Sequence, residues 1–227
     1  MRKLNSKHLI LLLILLMAGK AKAQDWANLN KYKNANTLLA PPTSGEKRIV
    51  FFGDSITESW GTVYADFFTQ KNYINRGISG QTTPQMLLRF RPDVIELKPK
   101  IVVILAGTND IAENTGPTTP EIILGNIISM CELAKANGIK VMLCSVLPAY
   151  DYPWRKGLEP ALKIEALNTK IMQYAKVNHI DYVDYYSAMV DDRKGLKSIY
   201  SEDGVHPNKE GYRVMEHIVK KQLDQLN

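Results

Sequence analysis

The sequence predicts an α/β fold in which one parallel sheet is covered by helices on both faces. Five short apolar segments alternate with segments of helical spacing along the chain. Such alternation favours parallel strands joined by helical crossovers. Residues 101–106, Ile-Val-Val-Ile-Leu-Ala, are apolar at every position, as expected for a central strand buried on both faces. Polar motifs follow the first three apolar segments, at the sheet edge where α/β proteins bind their ligands.

The predicted strands are short apolar runs that end at glycine, proline or polar residues. The first run, Ile-Val-Phe-Phe, ends at Gly53, and the fourth is closed by Pro148. The five predicted strands cover residues 49–52, 73–75, 101–106, 139–146 and 180–183.

The predicted helices carry apolar residues at helical spacing between start and stop signals. Thr119 is a predicted N-cap because Pro120 takes the first helical position, and Gly138 ends the same helix. The helices cover residues 25–39, 60–70, 83–95, 120–137, 158–177 and a last segment that begins near Asn208. The stretch 40–45, Ala-Pro-Pro-Thr-Ser-Gly, is a predicted linker before the sheet.

The N-terminus has the pattern of a secretory signal peptide over residues 1–23. A basic stretch precedes the ten apolar residues 9–18, and Ala21-Lys22-Ala23 fits a small-residue cleavage site. An apolar run of this length is too short to span a bilayer, and we therefore expect no stable membrane insertion. The alternative is that the segment is retained as a membrane anchor. We therefore expect export, to the periplasm or the exterior, with a mature chain that starts at Gln24.

Loss of that segment changes the charge of the chain. The full chain carries 29 Lys and Arg against 23 Asp and Glu, a formal net charge of +6. Five basic residues and no acidic ones fall within residues 1–23, which leaves 24 against 23, or +1. A nearly neutral mature chain gives no electrostatic reason to expect nucleic-acid binding.

The remaining 204 residues suffice for one core and are most simply one domain. We divide them into a short helix and linker over residues 24–46 and a main domain over residues 47–227. Cys131 and Cys144 fall in a helix and a strand of different layers. A disulfide requires Cα atoms within about 7 Å, so we expect two buried free thiols rather than a bridge.

Two motifs can supply the groups of a nucleophilic hydrolase. Ser55 stands just after the first strand, and Asp203 and His206 stand three residues apart near the C-terminus. Serine, histidine and aspartate serve as nucleophile, base and base-orienting group in acyl transfer. The structural alternatives are an N-cap serine and a polar turn before the last helix, but such a turn would not require His206.

Two further residues can stabilise a developing oxyanion. Gly80 can offer a backbone N–H where a side chain would crowd the substrate, and Asn109 can offer its side-chain amide. Ordinary turns at these positions are the alternative. Asp54 and Asp110 are better interpreted as acceptors for loop N–H groups than as catalytic residues.

Together these motifs resemble the four sequence blocks of the SGNH (GDSL-type) ester hydrolases, over residues 47–226. The matching blocks are Gly53-Asp54-Ser55-Ile56, Gly77-Ile78-Ser79-Gly80, Gly107-Thr108-Asn109-Asp110 and Asp203-Gly204-Val205-His206-Pro207. The third block is most similar to the platelet-activating-factor-acetylhydrolase-like and carbohydrate acetylesterase branches.

The resemblance implies a flavodoxin-like, three-layer α/β/α sandwich with a five-stranded parallel sheet. It also implies a catalytic triad and an oxyanion hole made by two backbone N–H groups and one amide side chain. Carried over, the triad is Ser55, His206 and Asp203, and the oxyanion donors are Ser55, Gly80 and Asn109. Gly77 is the alternative donor in the second block.

Other hydrolase classes fit this chain less well. No G-x-S-x-G nucleophile elbow occurs in the sequence, which disfavours a standard α/β-hydrolase. Only three histidines follow residue 23, too few to suggest a metallohydrolase. We therefore expect no metal and no cofactor.

Aromatic residues at the same sheet edge are candidate substrate contacts. Trp60 lies five residues after Ser55, and Tyr152 and Trp154 follow the fourth predicted strand. Aromatic faces suit sugar rings and lipid chains, and ordinary packing is the alternative interpretation. The sequence shows no long apolar lid, which favours small acyl groups.

The sequence thus predicts an exported, metal-independent serine esterase that removes short acyl groups, acetyl above all, from a carbohydrate. Its expected ligand is a small-molecule or glycan ester, and its oligomeric state is left open. A lysophospholipase or lipid acylhydrolase is the first alternative. A catalytically idle carbohydrate-binding domain is the alternative from another class.

Overall fold

The computed structural model describes residues 25–69 and 72–225, and contains one five-stranded sheet. Its order is β2-β1-β3-β4-β5, and every neighbouring pair of strands is parallel. The strands are β1 (Ile49–Gly53), β2 (Tyr73–Gly77), β3 (Ile101–Leu105), β4 (Lys140–Cys144) and β5 (Asp181–Val183). The predicted parallel sheet is confirmed, and its order is that of flavodoxin-like folds. The predicted signal peptide lies outside the described residues.

Helices connect the strands and cover both faces of the sheet. They are α1 (Lys33–Leu38), α2 (Ser55–Val63), α3 (Thr83–Asp93), α4 (Thr108–Ile111), α5 (Pro120–Ala136), α6 (Pro160–Val177), α7 (Tyr186–Met189) and α8 (Lys209–Asp224). Short 3₁₀ helices cover Ala65–Thr69, Ile95–Leu97 and Ser198–Tyr200. The predicted cap at Thr119 is confirmed, since its side chain accepts the Ile122 N–H. The last helix begins next to Asn208 as predicted, and the Asn208 side chain caps it by accepting the Gly211 N–H.

The sheet separates two apolar clusters, which makes the fold a three-layer α/β/α sandwich. Val50 and Phe52 of β1 join the cluster beneath α3, α5 and α6, whereas Ile49 and Phe51 join the one beneath α2, α7 and α8. Successive strand residues therefore point to opposite faces, and both faces are buried.

The two cysteines are free, as predicted, and both are buried. Cys131 belongs to the cluster under α5 and Cys144 to the cluster on the other face of the sheet. Burial raises the pKa of each thiol to about 12, which keeps both protonated.

The helix after β1 begins earlier than the predicted range 60–70. It starts at Ser55 because the Asp54 side chain accepts the Ile56 N–H at 2.9 Å and caps it. The helix ends at Val63, and a 3₁₀ turn covers Ala65–Thr69. This shift places Ser55 at a helix N-terminus.

The N-terminal helix is shorter than the predicted range 25–39. The Asp25 carboxylate accepts the N–H groups of Leu29 and Asn30 at 2.8 and 3.0 Å, which folds the first residues into turns. Only Lys33–Leu38 is helical. The turns pack on the sheet edge, where the Gln81 side chain donates to the Ala27 carbonyl at 2.6 Å.

One buried cation ties the ends of two strands together. Arg89 of α3 has no exposed surface and donates to the Gly53 carbonyl at 2.8 Å and the Arg76 carbonyl at 2.9 Å. It also donates to the Gln81 side chain and to Asp93, the latter at 3.1 Å. Burial lowers the pKa of Arg89 to about 10, so the group remains charged at neutral pH.

Within residues 25–69 and 72–225, no helix combines the length and hydropathy needed to cross a membrane.

We predict that Arg89→Met destabilises the fold by about 3–5 kcal/mol, because it removes the cation that pairs with the buried Asp93. Loss of donors to two strand-end carbonyls adds to this effect. Urea unfolding measures the change. Arg213→Ala is the control, since Arg213 pairs with Glu210 on the surface at 2.7 Å and should leave the midpoint nearly unchanged. Equal shifts in the two variants would contradict the role assigned to Arg89.

Candidate active site

The structure brings Ser55, His206 and Asp203 into contact at the carboxyl edge of the sheet. Ser55 is the first residue of α2, and His206 stands in the loop before α8. The Ser55 Oγ lies 3.0 Å from His206 Nε2, although 151 residues separate the two in the chain. His206 Nδ1 lies 2.7 Å from Asp203 Oδ2. These distances permit proton transfer from the serine to an imidazole whose other nitrogen is held by a carboxylate.

The Asp203 loop holds its own carboxylate in place. Asp203 Oδ1 accepts the N–H groups of Val205 and His206 at 2.9 and 2.8 Å. Partial burial alone would raise the pKa of Asp203, but hydrogen bonds from the His206 ring and these N–H groups outweigh it and lower that pKa to about 2. Asp203 is therefore ionised at any working pH.

Ser201 supports this loop and was not identified from the sequence. Its hydroxyl lies 2.7 Å from the His206 carbonyl and 3.1 Å from Asp203 Oδ1, and it accepts the Gly204 N–H at 3.0 Å. A serine five residues before a histidine carries no recognisable pattern, so only the folded loop reveals this role.

The three groups predicted to donate to an oxyanion have hydrogens that are available at this edge. Within the described residues, the backbone N–H groups of Ser55 and Gly80 donate to no protein acceptor. Gly80 has φ +76°, a conformation that side chains disfavour. Asn109 is buried, and its Nδ2 donates one hydrogen to the Gln81 carbonyl at 3.1 Å, which leaves the other available.

Gly77 does not fit the role of the alternative donor. Its N–H already donates to Asn75 Oδ1 at 2.9 Å. A Cβ at Gly77 would lie 2.1 Å from the backbone nitrogen of Glu58, so this glycine allows β2 and α2 to approach closely. These contacts favour Gly80 of the two glycines.

Asp54 and Asp110 accept loop N–H groups, as expected. Asp54 caps α2, and Asp110 accepts the Thr83 N–H at 2.9 Å and the Thr83 hydroxyl at 2.6 Å. Burial raises the pKa of both carboxyls, that of Asp54 to about 7.

Two of the predicted substrate contacts are wrong. Trp60 is only 2% exposed and stacks on Phe67 at 4.4 Å between ring centroids, so it belongs to the core under α2 and α8. Tyr152 is fully buried, and its hydroxyl lies 3.0 Å from both the hydroxyl and the carbonyl oxygen of Thr108. Sequence position placed both residues near the edge but could not show which way they point.

Trp154 is the predicted aromatic that lies open beside the candidate triad. It is 45% exposed, and its ring centroid lies 5.9 Å from that of His206. A groove of about 290 Å³ adjoins Asp203 and is lined in part by Tyr150, which is 57% exposed, and by Arg193. A larger groove, of about 800 Å³, lies between α1 and α3 and contains none of the candidate residues.

Asn114 was also missed by the sequence analysis. Its side-chain amide contacts Asn109, Gly80 and Trp154. The only sequence signal is its place in the turn Asn114-Thr115-Gly116, just after the third block.

Among residues 25–69 and 72–225, no group of three or more His, Cys, Asp or Glu side chains could hold a metal ion.

The sequence profile of the GDSL-like Lipase/Acylhydrolase family matches residues 51–214. A crystal structure of a GDSL-like lipase from Bacteroides thetaiotaomicron VPI-5482 is 52% identical and superposes with a TM-score of 0.86. The alignment covers 88% of this chain and 99% of that chain.

Curated proteins with names that specify a substrate are also similar. Platelet-activating factor acetylhydrolase IB subunit alpha2 of Homo sapiens is 27% identical over 141 residues, 60% of this chain and 59% of the relative. Acetylxylan esterase of Xylanibacter ruminicola is 24% identical over 219 residues, 80% of this chain and 44% of the relative. The chain thus spans about half the length of the curated relatives that it matches.

We predict that Asp54→Asn gains stability over the unchanged chain as pH rises from about 4 to about 7. Across that range folded Asp54 keeps a proton that the unfolded chain has lost, because its folded pKa is about 7. Stability therefore falls as pH rises, and asparagine removes this dependence while keeping an oxygen for the Ile56 N–H.

The measurement is the difference between the two melting temperatures at pH 5 and pH 8. A difference that does not change with pH would show that Asp54 is ionised in the folded state at pH 5. Because the His206 charge also acts on Asp54, the comparison is repeated with His206→Ala in both chains.

Proposed function

The chain belongs to the GDSL-like lipase/acylhydrolase family, and on this premise we propose that it is an ester hydrolase, a serine esterase that removes short acyl groups, acetyl above all, from a carbohydrate. The observation that carries the proposal is the pair of contacts that joins Ser55 to His206 and His206 to Asp203, with separations of 3.0 and 2.7 Å. Nucleophile, base and orienting carboxylate are each within hydrogen-bond reach.

In the first half-reaction, Ser55 Oγ attacks the ester carbonyl carbon while His206 Nε2 takes the hydroxyl proton. The carbonyl π electrons move to oxygen, and the Ser55 N–H, the Gly80 N–H and Asn109 Nδ2 stabilise that oxyanion. When the carbonyl reforms, the ester C–O bond breaks, and His206 returns the proton to the leaving alcohol. Asp203 stabilises the imidazolium between these steps.

In the second half-reaction, a water molecule attacks the acyl-Ser55 ester. His206 takes one proton from the water, the same three donors stabilise the second oxyanion, and the proton passes back to Ser55 Oγ as the bond breaks. The products are a free carboxylic acid and the original enzyme.

Three observations support acetyl and carbohydrate. Two relatives bear names that specify acetyl esters, and one of them is an acetylxylan esterase. The exposed faces of Trp154 and Tyr150 lie beside the candidate triad and suit the flat apolar side of a sugar ring. No long apolar segment stands between the motifs to form a lid.

Export belongs to the same proposal, because the pattern of residues 1–23 is that of a signal peptide. A polymeric substrate outside the cell is consistent with such a route.

An acetylated lipid is the second candidate substrate, and the similarity to a platelet-activating factor acetylhydrolase subunit favours it. Both candidate substrates carry an acetyl group. They differ in the alcohol part of the ester, which would occupy the space beside Trp154. An idle sugar-binding domain is a third possibility that loss of turnover in a Ser55 variant excludes.

We predict that Ser55→Ala and His206→Ala each remove nearly all turnover of p-nitrophenyl acetate while both variants remain folded. The double variant should lose little more than either single one, because the two residues act in one proton-coupled step. Initial rates and circular dichroism spectra of the three variants make the comparison. Losses that multiply in the double variant would argue against a shared nucleophile–base step.

We predict that kcat/KM is highest for the C2 p-nitrophenyl ester and does not rise through C4, C6 and C8. A long acyl groove would contribute about 0.8 kcal/mol per buried methylene, and the sequence offers no segment to build one. Trp154→Ala should slow acetate release from acetylated xylan more than turnover of p-nitrophenyl acetate. A steady rise with chain length would contradict the acetyl preference and favour a lysophospholipase or lipid acylhydrolase that acts on long acyl chains. An unchanged rate on xylan in Trp154→Ala would remove Trp154 from substrate binding.

A further inference from the structure

Asn114 joins the two non-nucleophile oxyanion donors to the exposed aromatic face. Its Nδ2 donates to Asn109 Oδ1 at 2.8 Å and to the Gly80 carbonyl at 3.3 Å. Its Oδ1 accepts the Trp154 Nε1–H at 3.4 Å. Both hydrogens of this amide and one of its acceptor sites are therefore used, although the residue lies at the surface.

Two neighbours of Asn114 fix which of its amide atoms donates and which accepts, because each neighbour can act only as a donor or only as an acceptor. The indole N–H of Trp154 is a donor, and the carbonyl of Gly80 is an acceptor. Together they orient the Asn114 amide with its oxygen toward Trp154 and its nitrogen toward Gly80 and Asn109. The backbone N–H of Asn114 also donates to the Asn109 carbonyl at 3.0 Å, which anchors the turn.

Asn114 and the Gln81 carbonyl together fix the orientation of the Asn109 amide. Because Asn114 presents a donor, Asn109 turns its Oδ1 toward it and its Nδ2 toward the Gln81 carbonyl at 3.1 Å. The second Nδ2 hydrogen of Asn109 then remains free for substrate. If the Asn109 amide were reversed, it would present an oxygen to the developing oxyanion and repel it.

We propose that Asn114 is a positioning residue for the oxyanion hole. It holds the Asn109 amide in the donating orientation and holds the loop of Gly80 against it. The proposal rests on the serine esterase mechanism above and adds a residue that lies outside its four sequence motifs. Because Trp154 donates to the same Asn114 amide, this one side chain connects the exposed aromatic face to the oxyanion donors.

The first test is Asn114→Ala with p-nitrophenyl acetate. We expect kcat to fall about 10- to 100-fold with KM changed less than about twofold, because misplaced donors act mainly in the transition state. Asn137→Ala is the matched control, since among the described residues the amide of this exposed asparagine bonds only the Leu133 carbonyl, and its kinetics should be unchanged. A raised KM with unchanged kcat would overturn the proposal and make Asn114 a substrate contact.

The second test compares Asn114→Asp with Asn114→Ala. The carboxylate keeps the size of asparagine but reverses its polarity toward Asn109, so it should lower kcat at least as much as alanine does. A role in packing alone predicts the opposite order, because aspartate preserves shape. Greater activity in Asn114→Asp than in Asn114→Ala would therefore overturn the proposal. Unchanged melting temperatures in both variants show that the fold is retained.

The third test is the double variant Asn109→Ala/Asn114→Ala. If Asn114 acts chiefly through Asn109, the double variant loses little more kcat than Asn109→Ala alone. Losses that multiply would show that the two residues act independently and would overturn the proposal. Failure of the underlying mechanism is distinguishable, since it would appear as turnover retained by Ser55→Ala.

Discussion

The active-site edge of this sheet depends on the hydrogen bonds that compensate one buried cation, Arg89. A guanidinium without exposed surface is tolerated only where acceptors replace the water that it has lost. For Arg89 these acceptors are the carbonyls at the ends of β1 and β2, the Asp93 carboxylate and the Gln81 side-chain oxygen. The β1 carbonyl immediately precedes Asp54 and Ser55, and the segment after β2 carries Gly80. The hydrogen bonds of Arg89 therefore hold the first two motifs next to each other.

The same network extends beyond the region that the family profile matches. Gln81 contacts Arg89 and the Ala27 carbonyl through its side chain, and its own carbonyl accepts from Asn109. The Tyr32 hydroxyl donates to the Gly77 carbonyl. Ala27 and Tyr32 lie upstream of residue 51, where the profile begins. The segment that a sequence comparison leaves out is thus part of the support for the second motif.

The site combines two kinds of support. Ser55 and Asn109 stand on helices that follow central strands, so the sheet itself positions them. Asp203 and His206 stand on a loop that satisfies its own polar groups through Ser201 and two backbone N–H groups. One hydrogen bond of 3.0 Å, between Ser55 and His206, joins the helix that carries the nucleophile to the loop that carries the base. Many chemistries share such a sheet, so this site, rather than the fold, supports the proposed function.

Much of this protein could be predicted from local pattern. The all-apolar run that became β3, the proline after Thr119 and the asparagine before α8 are local signals, and each predicted the right element. The motifs were informative together because parallel strands bring their carboxyl ends to one edge. That rule predicts that Ser55, Gly80 and Asn109 lie near one another.

Only the tertiary structure decided where side chains point. Trp60 and Trp154 both lie close to functional motifs in the sequence, yet the first is 2% exposed and the second 45%. Gly77 and Gly80 stand in the same block, yet the N–H of Gly77 is occupied by Asn75. The roles of Arg89 and Asn114 rest on contacts between distant segments, which no local pattern encodes. Sequence determined which elements and reactive groups exist, because those depend on neighbours in the chain; packing decided which groups meet, because that depends on neighbours in space.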